Sequence, residues 1–179
     1  MNIESAIDLA SKKFKKRKIK TPLLDSEILM SKALSKSREY IMLNLNMGLN
    51  ENNYIHFNRL VEERLKGKPI AYLTGVKSFW KYEFDVNENV LIPRPETELI
   101  IGEILKIYKN KPSIHFLDIG IGSGCILLSI LKEKKNFFGT GIDISKECIK
   151  VTKNNANKLG LKRRIKLFKT DVDNFDFGK

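Results

Sequence analysis

At 179 residues, with 42% hydrophobic and 30% charged side chains, the chain has room for one large domain or a small one joined to part of another. No apolar run approaches the ~18 residues of a membrane-spanning helix, and Glu4 and Asp8 precede Lys12, Lys13, Lys15 and Lys16, an order wrong for a secretory signal and, with those acids, for a transit peptide. The formal charge of +12 is mostly lysine spread along the chain beside abundant Asn and Ile, the bias of an AT-rich genome, so charge alone assigns no nucleic-acid role.

The first part of the chain reads as helices. Residues 2–14 place Ile3, Ala6, Ile7, Leu9, Ala10 and Phe14 at helical spacing. Thr21-Pro22 is an N-cap followed by proline at the first helical position, with Asp25 in the first turn where an acid suits the helix dipole; Leu23, Leu24, Ile28, Leu29, Ala33 and Leu34 follow. Residues 37–43 form a short helix, and Asn50 caps a fourth over residues 51–66 with Tyr54, Phe57, Leu60, Val61 and Leu65 inward, closed by Gly67. Residues 1–67 are therefore a small helical bundle that lacks catalytic groups and suits recognition or docking; His56 is a half-exposed helix residue and no metal ligand.

Texture changes after Pro69. Residues 79–86 alternate and are aromatic, Asn87-Glu88-Asn89 turns them, and Val90-Leu91-Ile92 returns, which predicts a β-hairpin in a linker over residues 68–92. Pro93-Arg94-Pro95-Glu96-Thr97-Glu98 carries two prolines and is a rigid connector into a helix over residues 98–108. The stretch from 113 to 143 then gives a buried strand ending on Asp118, glycines at 120, 122 and 124, a helix from Cys125, and a second strand ending on Asp143. Ser145 caps a further helix closed by Gly160, and Ile165 opens a third strand with Asp171 just past its end. The order βαβαβ predicts a parallel, doubly wound sheet with right-handed crossovers over residues 93–179. The two cysteines, Cys125 and Cys148, fall inside predicted helices without metal-like spacing and read as reduced, buried thiols of a cytosolic protein.

Spacing decides what the glycine turn holds. A dinucleotide fingerprint needs G-x-G-x-x-G, and Cys125 stands where its last glycine belongs. The motif here is D-x-G-x-G-x-G, with Asp118 beside the turn and Asp143 placed for two ribose hydroxyls. Carboxylates near the glycines suit a cationic ligand without a pyrophosphate, and S-adenosylmethionine, with its ammonium, sulfonium and ribose, is such a ligand.

These residues add up to a resemblance. Pro69-Ile70-Ala71-Tyr72-Leu73-Thr74-Gly75, Phe79-Trp80, Leu91 to Glu98 (LIPRPETE), the loop from Asp118 to Gly124, and Asn155-Ala156 with Leu159-Gly160-Leu161 resemble the peptide chain release factor glutamine methyltransferases, the HemK family, strongly over residues 67–172. The resemblance implies a helical substrate-recognition domain, a β-hairpin linker and a class I methyltransferase domain of Rossmann-like fold. It implies that S-adenosylmethionine is held by Asp118, Gly120, Ile121, Gly122, Ser123, Gly124 and Asp143, with Asp171 and Val172 at the adenine edge. Arg94, Pro95, Glu96 and Thr97 lie, in that family, near the substrate pocket. The implied partner is a release factor in the cytoplasm, with no metal and no membrane; direct nucleic-acid binding is compatible but not required. The family's Asn-Pro-Pro-Tyr signature, which positions the acceptor amide, occurs nowhere in the 179 residues, and no other catalytic residue stands out. The expectation is a truncated, N-terminal part of such an enzyme with an unfinished sheet, binding cofactor weakly and inactive alone. Two other readings stay open: a nucleic-acid amino-group methyltransferase acting on ribosomal RNA, DNA adenine or, through a fused domain, tRNA; and a noncatalytic cofactor-binding or interaction remnant.

Overall fold

The computed structural model describes residues 1–176 and divides into two compact units, Met1–Thr74 and Gly75–Lys179. The first unit is all helical: α1 (Ile3–Lys16), α2 (Pro22–Leu34), α3 (Arg38–Leu43), α4 (Glu51–Leu65) and α5 (Ile70–Thr74). Local chemistry starts three of them. The side chains of Asn2, Ser37 and Asn50 accept from the backbone N–H of Ser5, Tyr40 and Asn53 at 2.9, 3.2 and 2.8 Å, each satisfying a donor that the first helical turn leaves free. Thr21 does otherwise. Pro22 opens α2 as its position predicts, but the Thr21 hydroxyl donates to Asp25 Oδ1 at 2.8 Å instead of capping the backbone. Asp25 is buried and its other oxygen accepts from Arg64 Nε of α4 at 2.8 Å, so an ion pair with a hydroxyl bond ties the two helices.

Ile3, Ile7, Ala10 and Phe14 of α1 close on Leu29 and Met30 of α2 and on Phe57 and Val61 of α4. Leu9, counted with the stripe, is exposed: it stands two positions from Ile7, a rotation of about 200° at 3.6 residues per turn. Leu23 and Leu24 are likewise exposed. Residues 70–74, expected to lead into the linker, form a turn of helix whose Leu73 is buried in this core.

The second unit opens with a hairpin, β1 (Val76–Phe79) and β2 (Tyr82–Asp85), antiparallel with Phe79 opposite Tyr82. The hairpin turn is thus Trp80-Lys81; residues 87–90 do turn, with Asn87 O accepting from Val90 N at 3.1 Å and Asn87 Oδ1 from Asn89 N at 3.0 Å, but residues 90–92 form no return strand. The cause is tertiary. Trp80 has φ +56° and its indole Nε1 donates to Glu133 Oε1 at 2.9 Å; Tyr82 donates its hydroxyl to the same oxygen at 3.0 Å, and Lys81 Nζ donates to Oε2 at 3.1 Å. One carboxylate holds the whole turn.

The Pro93–Glu98 segment contains a 3-10 turn at Pro95–Thr97 and runs into α6 (Glu98–Ile107). Then come β3 (His115–Ile119), α7 (Cys125–Glu133), β4 (Phe138–Asp143), α8 (Lys146–Lys158) and β5 (Ile165–Lys169), close to the boundaries the sequence predicts. The sheet is parallel in the order β3-β4-β5, with Asp118 opposite Gly141 and Asp143 opposite Lys169. One face packs on the helices: a Cβ on Gly139 would meet Leu127 of α7 at 2.7 Å, and one on Gly141 would collide with Ile121. On the other face Leu117, Ile119, Phe138 and Phe168 are exposed. Parallel sheets are normally covered on both faces; among the described residues this one is covered on one.

Candidate cofactor site

The site gathers at the carboxyl ends of the parallel strands, where open α/β sheets bind ligands. Between β3 and α7 the chain takes three left-handed residues, Gly120, Gly122 and Gly124, at φ +73°, +54° and +78°. L side chains rarely adopt these angles, so the alternating turn requires glycine. Gly124 is also a close approach: a Cβ there would lie 2.8 Å from Thr152 Cγ2 and 2.9 Å from Leu128 Cδ1. The loop folds back on the sheet through the Gly120 and Ile121 N–H groups, both donating to Ile142 O, at 2.9 and 3.0 Å.

Asp118, the last residue but one of β3, stands beside this loop, half-buried. Burial pushes its carboxyl up to about 6; the Leu127 N–H in the first turn of α7 draws it down, and the Asp143 charge adds to the rise. Asp143 ends β4 and accepts two backbone bonds, from Gly122 N at 3.0 Å and Ser145 N at 2.9 Å. It therefore joins the glycine loop to the start of α8 while keeping acceptor capacity, since an ionised carboxylate has about four lone-pair sites. Thr170 N donates to Asp143 O at 3.0 Å, bringing the end of β5 alongside. Asp171 is exposed and caps the turn Val172–Asn174, its Oδ1 accepting from Asp173 N at 3.1 Å; Val172 is half-buried.

A cavity of about 180 Å³ opens against the loop, lined by Asp118, Gly120, Ile121, Gly122 and Ser123 on one side and by residues 91–94 with Thr97 on the other. The Pro93–Thr97 connector is thus a wall of the same cavity. Arg94 and Thr97 line it; Pro95 and Glu96 are exposed and do not. Asp143, Asp171 and Val172 stand outside its lining, at the neighbouring strand ends. Cys125 lines it half-buried, and burial pushes its thiol up to about 11, so it is no thiolate nucleophile at neutral pH. Cys148 is buried, donates to Asn89 O at 3.2 Å, and burial likewise raises its thiol.

Two supporting residues escaped the reading of the sequence as site residues. On α8 the buried stripe is Cys148, Val151, Thr152, Asn155 and Ala156. Thr152 Oγ1 donates to Gly122 O at 2.7 Å, and Asn155 Nδ2 donates to Ser123 O at 2.9 Å. Asn155 also grips both backbone groups of Asp85, at 2.7 and 3.0 Å. The available signal was polarity on the buried face of an amphipathic helix. Among the described residues no cluster of three or more metal-capable side chains forms, and no helix is long and apolar enough to cross a membrane.

Two family models match the chain in succession. The PrmC N-terminal domain family matches residues 5–75, and a methyltransferase domain family matches residues 110–178. A release factor glutamine methyltransferase of Caulobacter vibrioides is 34% identical over 96% of the chain, and one of Buchnera aphidicola is 40% identical over 90%. The chain spans 59% and 58% of those two proteins, about three-fifths of their length. Among solved structures, a SAM-dependent methyltransferase of Geobacter sulfurreducens in complex with S-adenosyl-L-homocysteine is 27% identical, with a TM-score of 0.39 over 46% of this chain and 31% of that one.

Proposed function

Because the chain is a relative of the release factor glutamine methyltransferases, with a PrmC N-terminal domain followed by a methyltransferase domain, we propose that it holds S-adenosylmethionine at the glycine loop for methylation of a glutamine side-chain amide in a peptide chain release factor, in the cytoplasm. The observation that carries the donor half is the cavity itself: a carboxyl group, Asp118, and a guanidinium, Arg94, line one small space against a positive-φ glycine turn.

The donor set fits the cofactor. An α-amino acid end is a zwitterion, so Asp118 faces its ammonium and Arg94 its carboxylate. The backbone of residues 120–124 comes close because it carries few side chains. Asp143, anchored by Gly122 N and Ser145 N, presents its remaining lone pairs to the ribose hydroxyls. Asp171 and Val172 border the adenine. When bound, the cofactor supplies an electrophilic methyl group on a sulfonium. The two carboxylates suit that positive charge, and they would oppose a pyrophosphate.

Arg94 and Thr97 serve the cofactor cavity in this reading, and Pro95 and Glu96 turn outward toward the acceptor side. An amide nitrogen is a poor nucleophile, because its lone pair is delocalised into the carbonyl. Positioning therefore carries the rate, and alignment of two bound reactants can supply roughly 7–11 kcal/mol of a barrier. Residues 1–179 contain no Asn-Pro-Pro-Tyr segment to align that nitrogen. These residues by themselves are expected to bind the cofactor without turnover, with the helical unit gripping the protein substrate. The test offers a release factor and ribosomal RNA side by side, with methyl-labelled cofactor, to residues 1–179 joined to the carboxyl-terminal part of the Caulobacter vibrioides relative and to residues 1–179 alone. Label on a release factor glutamine, only with the former, supports the reading. Label on RNA, or robust turnover by residues 1–179, contradicts it.

A further inference from the structure

Asn155 lies in the last turn of α8 with no exposed surface, and three of its four amide hydrogen-bonding valences are used. Its Oδ1 accepts from Asp85 N at 2.7 Å; its Nδ2 donates to Asp85 O at 3.0 Å and to Ser123 O at 2.9 Å. One side chain therefore closes the end of the hairpin and fixes a carbonyl of the glycine loop. Thr152, one turn earlier, fixes the preceding carbonyl, Gly122 O, at 2.7 Å. In a trans peptide the N–H points opposite to the C=O, so holding Gly122 O toward α8 turns the Ser123 N–H away from the helix.

Side-chain bonds of this kind help seat the hairpin at two places, beside the burial of Phe79 and Phe84 in the core: Asn155 at Asp85, reinforced by Lys158 Nζ on Asp85 Oδ1 at 2.8 Å, and Glu133 at the Trp80-Lys81 turn. A buried amide that binds a loop and a hairpin at once cannot satisfy one when the other leaves without stranding polar groups. We propose that Asn155 is a positioning residue that couples the hairpin to the glycine loop, so that the loop keeps its cofactor-holding shape only while the hairpin is seated. This inference rests on the glycine loop being the cofactor site.

Two readouts test it on residues 1–179. The first is amide hydrogen exchange of residues 120–124 without ligand. The second is the calorimetric Kd for S-adenosylmethionine. Asn155→Asp keeps the acceptor and the size but replaces both donor bonds with repulsion between oxygens. Thr152→Val is the milder change, should Asn155→Asp fail to fold. Both should speed loop exchange and raise Kd about tenfold, the factor that loss of one hydrogen bond's worth of order carries. Glu133→Ala releases the hairpin turn without touching the loop; it should speed loop exchange and raise Kd about threefold in the wild-type background and add nothing to Asn155→Ala. Leu131→Ala, a core change, controls for lost stability and should leave Kd unchanged at a temperature where the protein is folded. Wild-type loop exchange and Kd in Asn155→Asp and Thr152→Val would overturn the proposal, as would additivity of Glu133→Ala with Asn155→Ala. If the wild type binds no S-adenosylmethionine, the cofactor reading fails and the exchange measurements still decide the coupling.

Discussion

Asp118→Asn should stabilise the unliganded protein at neutral pH while removing its grip on the cofactor. Burial, helped by the Asp143 charge, raises the Asp118 carboxyl from its ordinary 3.8 to about 6 in the folded chain. Above pH 6 the folded protein carries this charge at a cost that the unfolded chain does not bear. Two units at about 1.4 kcal/mol each would be about 3 kcal/mol; the carboxyl is only half-buried, and solvent screening reduces this to about 1–2 kcal/mol. Asparagine keeps the shape and an acceptor for the Leu127 N–H without the charge. The sign follows from proton linkage: between pH 3.8 and 6 the folded state binds more protons than the unfolded one, so stability falls as pH rises through that window. The advantage of D118N over wild type should be full at pH 7.5 and largely gone near pH 4. Thermal unfolding without ligand should show it as about 2–8 °C at pH 7.5, at about 2–4 °C per kcal/mol for a chain of this size. A D118N protein less stable than wild type at pH 7.5, or a gap of equal size at both pH values, refutes the burial of a charged group at this position.

The same carboxyl makes cofactor affinity depend on pH: an ammonium partner needs it ionised, so the Kd for S-adenosylmethionine should rise about tenfold per unit as pH falls below 6 and stay level above it, measured by calorimetry. Arg64→Ala should unfold the helical unit more easily by about 3–5 kcal/mol in urea, because it leaves the Asp25 carboxylate buried with only the Thr21 hydroxyl, whereas an exposed pair such as Lys13–Glu62 should contribute under about 1 kcal/mol. Gly124→Ala should abolish cofactor binding and lower the melting temperature, since its φ of +78° and its contact with Thr152 both reject a Cβ. For Glu133, burial raises the carboxyl, but the bonds from Trp80, Lys81 and Tyr82 and the Lys81 charge outweigh it and hold it below its ordinary range. Its stabilisation is present above the unfolded value of about 4.5 and lost as pH falls through the lower folded value, so Trp80 fluorescence should report release of the turn in acid, and Glu133→Gln should release it at neutral pH.

Local chemistry made much of this fold legible. Ser37, Asn50 and Ser145 cap helices because their side-chain oxygens reach a free N–H a few residues on. The glycine spacing at 120, 122 and 124 foretold a left-handed loop, and the strand-terminal acids stand where the alternation of strand and helix put them. The misplaced hairpin turn shows the limit. Asn87-Glu88-Asn89 is the stronger local turn signal and does turn, but the hairpin closes at Trp80-Lys81, whose conformation is held by a carboxylate 53 residues from Trp80. Thr21 looked like a helix cap and was drawn to Asp25 by the Arg64 pair across the bundle. Arg94 and Thr97 read as part of a stiff connector that the resemblance puts near a substrate pocket; that they wall the glycine-loop cavity is a fact of tertiary packing. Thr152 was visible only as a polar residue on a helix and Asn155 only as part of a motif without a stated role; their meaning lies in carbonyls 30 and 32 residues away.

The central claim is that the turn between β3 and α7, with Asp143 beside it, is the cradle of a methyl donor. Isothermal calorimetry of S-adenosylmethionine against residues 1–179 and against Asp143→Ala tests it most directly. The account predicts saturable one-to-one binding to the wild type and at least tenfold weaker binding to the variant. No heat from either protein, or equal affinity in both, would contradict it.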